Sequence, residues 1–233
     1  MQMLHRPAAE RGMFNFGWLD TAHSFSFGDY RDPAHMGFRS LRVINEDKLA
    51  AGGGFPFHGH ADMEIVTYIL DGALEHKDSL GTGEIIRPGD AQRMSAGTGI
   101  RHSEFNASTV DPVHLLQIWL LPSEMGIAPG YEQRTLPAAD PGETRLDRIA
   151  SPEGGAHEVT ICSDATISRA LLGPGGTLDV PVTRGHAWLQ VARGRLTASG
   201  QPLAQGDGLA LAELTSVTLT SETGAEVLVF DLG

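Results

Sequence analysis

The run FPFHGHADMEIVTYILDG, Phe55–Gly72, decides the fold. Its second half, Glu64–Leu70, is crowded with β-branched and aromatic residues and stops at the turn dipeptide Asp71-Gly72. A short run of that kind between turn signals reads as a strand. Its first half carries His58 and His60 two residues apart, and an extended chain points such a pair to one side. Similar strand-like runs recur outward from it, at Arg39–Ile44, Leu115–Leu120, His157–Ile161, Ala187–Val191, Ser216–Thr220 and Glu226–Phe230. Turn signals such as Pro88-Gly89-Asp90 and Gly206-Asp207-Gly208 separate them. Many short strands between turns predict an all-β chain of antiparallel sandwiches or barrels. No segment holds a long apolar repeat at 3.6-residue spacing, so any helix is short.

Composition agrees with many turns. The 29 glycines and 13 prolines among 233 residues exceed the roughly 12% combined share of an ordinary chain. Apolar residues at 41% and charged residues at 20% exclude a disordered chain. The net charge is −12 and no Lys/Arg cluster offsets it, which argues against nucleic acid and anionic membrane as direct partners. No apolar run approaches the ~20 residues of a membrane span, and Met1–Arg11 lacks the apolar core of a secretion signal. Cys162 is the single cysteine, so neither an intrachain disulfide nor a thiolate metal cage can form. A cytoplasmic location is expected.

The chain also repeats itself weakly. Gly72-Ala73-Leu74 leads to Gly89-Asp90, and Gly194-Arg195-Leu196 leads to Gly206-Asp207. Between the copies, 122–152 is rich in Pro, Gly and charge, as a linker is. Two β-domains are therefore expected: 1–125 with the metal site, 150–233 without one, and 126–149 joining them. Counting back from the repeat glycines places Val180 and Val182 at the second-copy positions of His58 and His60, and His186 at that of Glu64. The second copy has lost the histidines.

Chemistry gathers in the first copy. His58 and His60 project together if extended, and so do His102 and Glu104. Two neighbouring strands would aim three imidazoles and a carboxylate at one point inside a barrel. Nitrogen and oxygen donors without thiolate suit a divalent first-row metal with open positions rather than a closed structural zinc. Glu64 shares the strand parity of His58 and His60 and stays open as the carboxylate. Of the other histidines, His76 reads as a solvated or turn-bonded hairpin residue, His23 as structural or at the pocket mouth, and His114 as an ordinary strand residue. Cys162 reads as a buried small side chain, since its neighbours offer no cation. Met94, Phe55 and Phe57 suit either a ring-accepting pocket or the core.

Gly52-x5-His58-x-His60-x3-Glu64 matches the first cupin motif, and Gly97, His102 and Asn106 echo the second with two extra residues before the histidine. The segments HSFSFGDYRDP (His23–Pro33), GFRSLRVINED (Gly37–Asp47), EHKDSLG (Glu75–Gly81) and MSAGTGIRHSE (Met94–Glu104) resemble the pirin family. The resemblance is strong over about residues 5–135 and weak beyond. It implies a bicupin of two jelly-roll-like β-barrel domains with one metal in the N-terminal barrel, held by His58, His60, His102 and Glu104. Glu64 then becomes a carboxylate that orients a ligand histidine.

The same resemblance implies a metal-dependent quercetin 2,3-dioxygenase, which opens a flavonol ring with O2 and releases carbon monoxide, with Glu104 as the catalytic proton acceptor. The implied cofactor is one divalent transition metal, iron first, with copper, manganese, nickel, cobalt or zinc as alternatives. A small aromatic substrate and O2 are the implied partners. Other relatives imply a metal- or redox-sensing regulator with a protein partner, or a metalloenzyme for another enolisable aromatic. An open apolar cavity over the metal favours the enzyme; a closed site beside an exposed apolar patch favours the docking module.

Overall fold

The computed structural model describes residues 2–140 and 142–233, which form strands, turns and one short 3-10 turn at Ala8–Glu10. Among the described residues no helix is long and apolar enough to cross a membrane. The first strands are β1 (Gln2–Arg6), β2 (Gly12–Asn15), β3 (Leu19–His23), β4 (Leu41–Leu49), β5 (Gly54–His60), β6 (Glu64–Asp71) and β7 (Leu74–Asp78). Next come β8 (Gly83–Ile86), β9 (Asp90–Ser95), β10 (Ile100–Asn106), β11 (Val113–Leu120), β12 (Gly130–Thr135), β13 (Arg145–Ser151) and β14 (Val159–Thr160). The last are β15 (Ala165–Leu172), β16 (Gly176–Pro181), β17 (His186–Ala198), β18 (Gln201–Ala204), β19 (Gly208–Ala212), β20 (Ser216–Ser221) and β21 (Ala225–Leu232).

The first barrel has two walls. One is a seven-stranded sheet in the order β12-β9-β6-β11-β4-β3-β2, the other a four-stranded sheet in the order β5-β10-β7-β8. The second barrel is one ten-stranded sheet along β1-β19-β17-β21-β15-β13-β14, with β16, β18 and β20 attached at β17 and β20. All pairs are antiparallel except β13 with β14. The all-β bicupin expectation holds.

The expected bounds are crossed at three strands: β13 begins at Arg145, inside the expected linker, and pairs with β15, and two further strands join sheets that the sequence reading did not give them. Within the stretch 126–149 expected as a linker, β12 pairs with β9 and closes the seven-stranded sheet. At the other end, β1 pairs with β19 of the second barrel, although 1–125 was expected to form the first. Both are edge strands, whose partners lie far along the chain and leave no local mark in their own composition.

Parity along the central strands explains the composition of the opening run. On β6, Val66, Tyr68 and Leu70 face one way, and Ile65, Thr67 and Ile69 the other. The first set joins Leu116 and Ile118 of β11 and Phe25 in the apolar cluster that also holds Ile149, Trp188, Leu228 and Phe230 of the second barrel. The Phe25 and Trp188 rings lie 4.6 Å apart at that seam. The centre of the seven-stranded sheet is therefore buried on both faces, and β6 and β11 read as near-continuous apolar runs. The second barrel fills its own interior with aliphatic side chains, Val180 and Val182 among them. Where the first copy keeps histidines, the second keeps core.

Candidate metal centre

The two histidine-bearing strands are neighbours. In the β5–β10 register His102 stands opposite His58, and Ile100 opposite His60. Gly54 makes this approach possible: a Cβ there would run into the Glu104 carbonyl and Phe105. The three imidazoles converge, with ring centroids 4.5 Å apart for His58 and His102, 4.8 Å for His58 and His60, and 5.0 Å for His60 and His102. One ligand nitrogen from each lies within 4.8 Å of the others.

The donor set fits a metal ion. His58 places Nδ1 2.8 Å from the Pro56 carbonyl; that carbonyl selects the Nδ1–H tautomer, which leaves Nε2 a free lone pair. His102 is buried, yet neither of its ring nitrogens has a hydrogen-bond partner. Such orphaned nitrogens are costly unless a further group meets them. Burial, then the neighbouring His58, His60 and His76, pushes His102 down to about 2. Burial and His58 hold His60 near 4. Both rings are thus neutral, the form that ligates.

Glu104 sits slightly apart. β10 bulges between His102 and Glu104, and the Gln117 amide donates to both carboxylate oxygens at 3.1 and 2.9 Å. Thr67 Oγ1 in turn donates to Gln117 Oε1 at 3.0 Å. Glu104 consequently groups with His102 and His76, while His58, His60 and His102 form the other triad. Three of the four expected site residues form one triad, and the fourth, Glu104, joins through His102 in a second triad with His76. Burial lifts the Glu104 carboxyl to about 7, Gln117 working against it and Asp47 with it. Gln117→Leu is expected to lower metal affinity or turnover by roughly 10–100-fold, as loss of a ligand's supporting hydrogen bond does elsewhere; metal titration of the purified variant checks it.

Two sequence readings are corrected here. His76 is not a solvated hairpin residue: it is fully buried, opposite Glu104 in the β7–β10 register, with its ring 5.3 Å from that of His102. Its Nε2 lies 3.1 Å from Asp78 Oδ2, and Asp78 Oδ1 accepts from the backbone of Leu80 and Thr82. The hairpin that looked exposed from its charge is the inner wall of the barrel. Glu64 does not orient a ligand histidine. The chain turns at Asp62, with φ +49°, so Glu64 begins β6 in the other sheet and takes the parity of Val66 and Tyr68. Its Oε2 accepts from Ser95 Oγ at 2.9 Å and from the Cys162 amide at 3.1 Å, at the seam between the barrels.

A cavity of about 390 Å³ opens over the histidines, within the range of small-molecule sites. Phe27, Phe55, Phe57 and Trp119 supply flat apolar walls, while Asn45, Asp47, Glu104 and Gln117 supply polar ones. Phe55 and Phe57 thus line the pocket, whereas Met94 is buried with Ile65, Ala96 and Ile100. His23 packs among Phe14, Phe27 and Tyr30, and His114 bonds Glu46 at 2.9 Å. Cys162, expected to be buried, is half-exposed. The sequence reading missed Gln117, Trp119, Asn45 and Asp47. A signal for Gln117 existed: it is the one polar residue in the otherwise apolar run LLQIWL.

Known proteins resemble the chain in sequence and fold. Residues 5–120 match the Pirin family, and 148–232 match the quercetinase C-terminal cupin domain. The quercetin 2,3-dioxygenase of Escherichia coli K12 is 43% identical over 228 residues, covering 97% of each chain. The bacterial pirin YhhW from Escherichia coli, solved in complex with nickel(II), superposes with a TM-score of 0.92 at 42% identity and 99% coverage of both chains. Vicilin from hazelnut shares only the fold, at 13% identity, a TM-score of 0.72 and coverage of 98% of this chain and 90% of its own. With identity this high along nearly the whole length, and with both halves matched in order, the chain belongs to the pirin family.

Proposed function

We propose that the protein is a metal-dependent dioxygenase that cleaves quercetin or a related flavonol with O2, its ion held by His58, His60, His102 and Glu104. The observation that carries this reading is the convergence of neutral imidazoles and a buried carboxylate on a cavity walled by aromatic rings. An open cavity over the histidines favours an enzyme over a docking module. The names of the relatives, and the nickel(II) in one of them, support the reaction class.

A divalent ion there would acidify a bound enol hydroxyl and ease electron transfer to O2. The chain's own residues do the rest. Phe27, Phe55, Phe57 and Trp119 hold a flat ring system and keep water from it. Glu104 accepts the enol proton on a carboxylate oxygen, a task for which a buried carboxyl near neutrality is suited. Gln117 keeps that carboxylate aimed into the cavity. Nitrogen and oxygen ligation accepts several ions; iron is the first to test and nickel the second. The lone Cys162 and a thiolate-free site suit a cytoplasmic location.

Protein reconstituted with iron, nickel, manganese, cobalt, copper or zinc is expected to bind one ion per chain. At least one loaded form should consume O2 and release carbon monoxide as quercetin disappears. Loaded protein that leaves O2 untouched with every flavonol overturns the reading.

A further inference from the structure

Strands β3 and β4 place four polar residues in a two-by-two block. Thr21 stands opposite Asp47 and His23 opposite Asn45, and directly opposed residues share a face of the sheet. All four are at least nine-tenths buried, with exposures of 4% for Thr21, Asn45 and Asp47 and 8% for His23. Each nevertheless has a polar atom with no hydrogen-bond partner: Thr21 Oγ1, His23 Nδ1, Asn45 Oδ1 and Asp47 Oδ1. The Thr21 hydroxyl makes only a loose contact with Asp47: it acts on that carboxyl as a weak hydrogen-bond donor, while Thr21 Oγ1 and Asp47 Oδ1 both lack a well-formed bond. Buried polar atoms in folded proteins are nearly all paired, so four orphans in one patch mark a missing partner.

The place of the block says what that partner is. Asn45 and Asp47 line the same cavity as the metal-site histidines, on the wall next to Gln117, which is the cross-strand neighbour of Asn45. The facing walls are aromatic. Their two unpaired oxygens are acceptors, so they require O–H or N–H donors on the ligand. A ligand that satisfies both surfaces is a flat ring bearing hydroxyl groups.

We infer that Asn45 and Asp47 form an acceptor subsite that binds ring hydroxyls of a polyphenol other than the one that meets the histidines, and so sets specificity for polyhydroxylated over plain flavonols. This rests on the flavonol reading above. A site built with buried acceptors rejects a ligand that lacks the donors, because the acceptors then stay unpaired. A purely apolar pocket discriminates far less.

The test compares quercetin with 3-hydroxyflavone, which has the same flavonol core without the other four hydroxyls. Binding to the metal-loaded protein is measured by calorimetry without O2, and turnover by O2 uptake. The wild type is expected to favour quercetin by roughly tenfold or more, the value of one good hydrogen bond. Asp47→Leu and Asn45→Leu should bring that preference close to one, the loss falling mainly on quercetin. Folding of both is followed by thermal unfolding. Should either fail to fold, Asp47→Asn preserves shape, weakens that acceptor and should narrow the preference in part, whereas Asn45→Asp keeps an acceptor and should retain it. A wild type without preference, or a preference that survives Asp47→Leu, Asn45→Leu and Asp47→Asn, overturns the inference and assigns the block to ordered water. Selective quercetin binding without O2 uptake would sink the dioxygenase reading and leave the subsite standing. Equal uptake with both flavonols would do the reverse.

Discussion

His102→Ala is expected to empty the site: metal content should fall from one ion per chain to near zero. Turnover should drop by more than about 100-fold, beyond the 10–100-fold that loss of a supporting residue costs. The reason lies in the topology of the cluster. His102 is the one residue common to both triads, so its loss breaks each of them. The fold should survive, because neither ring nitrogen of His102 makes a hydrogen bond within the chain. Removing an unpaired buried polar ring can even be neutral for stability. Elemental analysis and thermal unfolding of the same preparation separate the two effects. Full metal retention in a folded variant would place the ion elsewhere. Glu64→Gln serves as the contrast and should keep its metal, since Glu64 bonds Ser95 and the Cys162 amide instead.

The second large effect concerns stability. Phe25→Ala should destabilise the protein by about 3–5 kcal/mol, the usual cost of a buried aromatic. For a chain of this size that lowers Tm by roughly 6–20 °C. Phe25 comes from the first barrel and packs with a tilted ring against Trp188 of the second, within the apolar cluster that both barrels share. Its loss opens a cavity at the seam, and a single unfolding transition should shift as a whole. Phe16→Ala, at an exposed ring, should move stability by less than about 0.5 kcal/mol. An unchanged Tm for Phe25→Ala would mean that the seam is not a core.

How much of this was readable beforehand varies by element. Six of the seven strand-like runs became strands over most of their length, because β-branched and aromatic residues between turn signals are a local property. Of His157–Ile161 only Val159–Thr160 is strand. The pairing of the two histidine strands followed from the same alternation, and His102 does stand opposite His58. Edge strands β1 and β12 went unread because an edge strand needs only one partner and carries no apolar run. His76 was misjudged because a charged flank, Glu75 and Lys77, surrounds an inward residue. Alternation puts the neighbours in solvent and His76 inside.

By itself, then, the sequence determined the all-β class, the two copies, the loss of histidines from the second, and the residue types available to hold an ion. Each of these rests on composition, spacing or two-residue alternation, which are properties of neighbours along the chain. Only the tertiary structure shows that Glu104 lies beside His102 and His76 while Glu64 bonds at the seam. Glu64 and Glu104 both satisfy the spacing, but a turn at Asp62 sends Glu64 into the other sheet, toward the seam. The polar wall of Asn45, Asp47 and Gln117 was likewise invisible until β4 and β11 paired and closed over β10. Sheet pairing joins residues tens of positions apart, and no local pattern encodes which face a remote strand will cover.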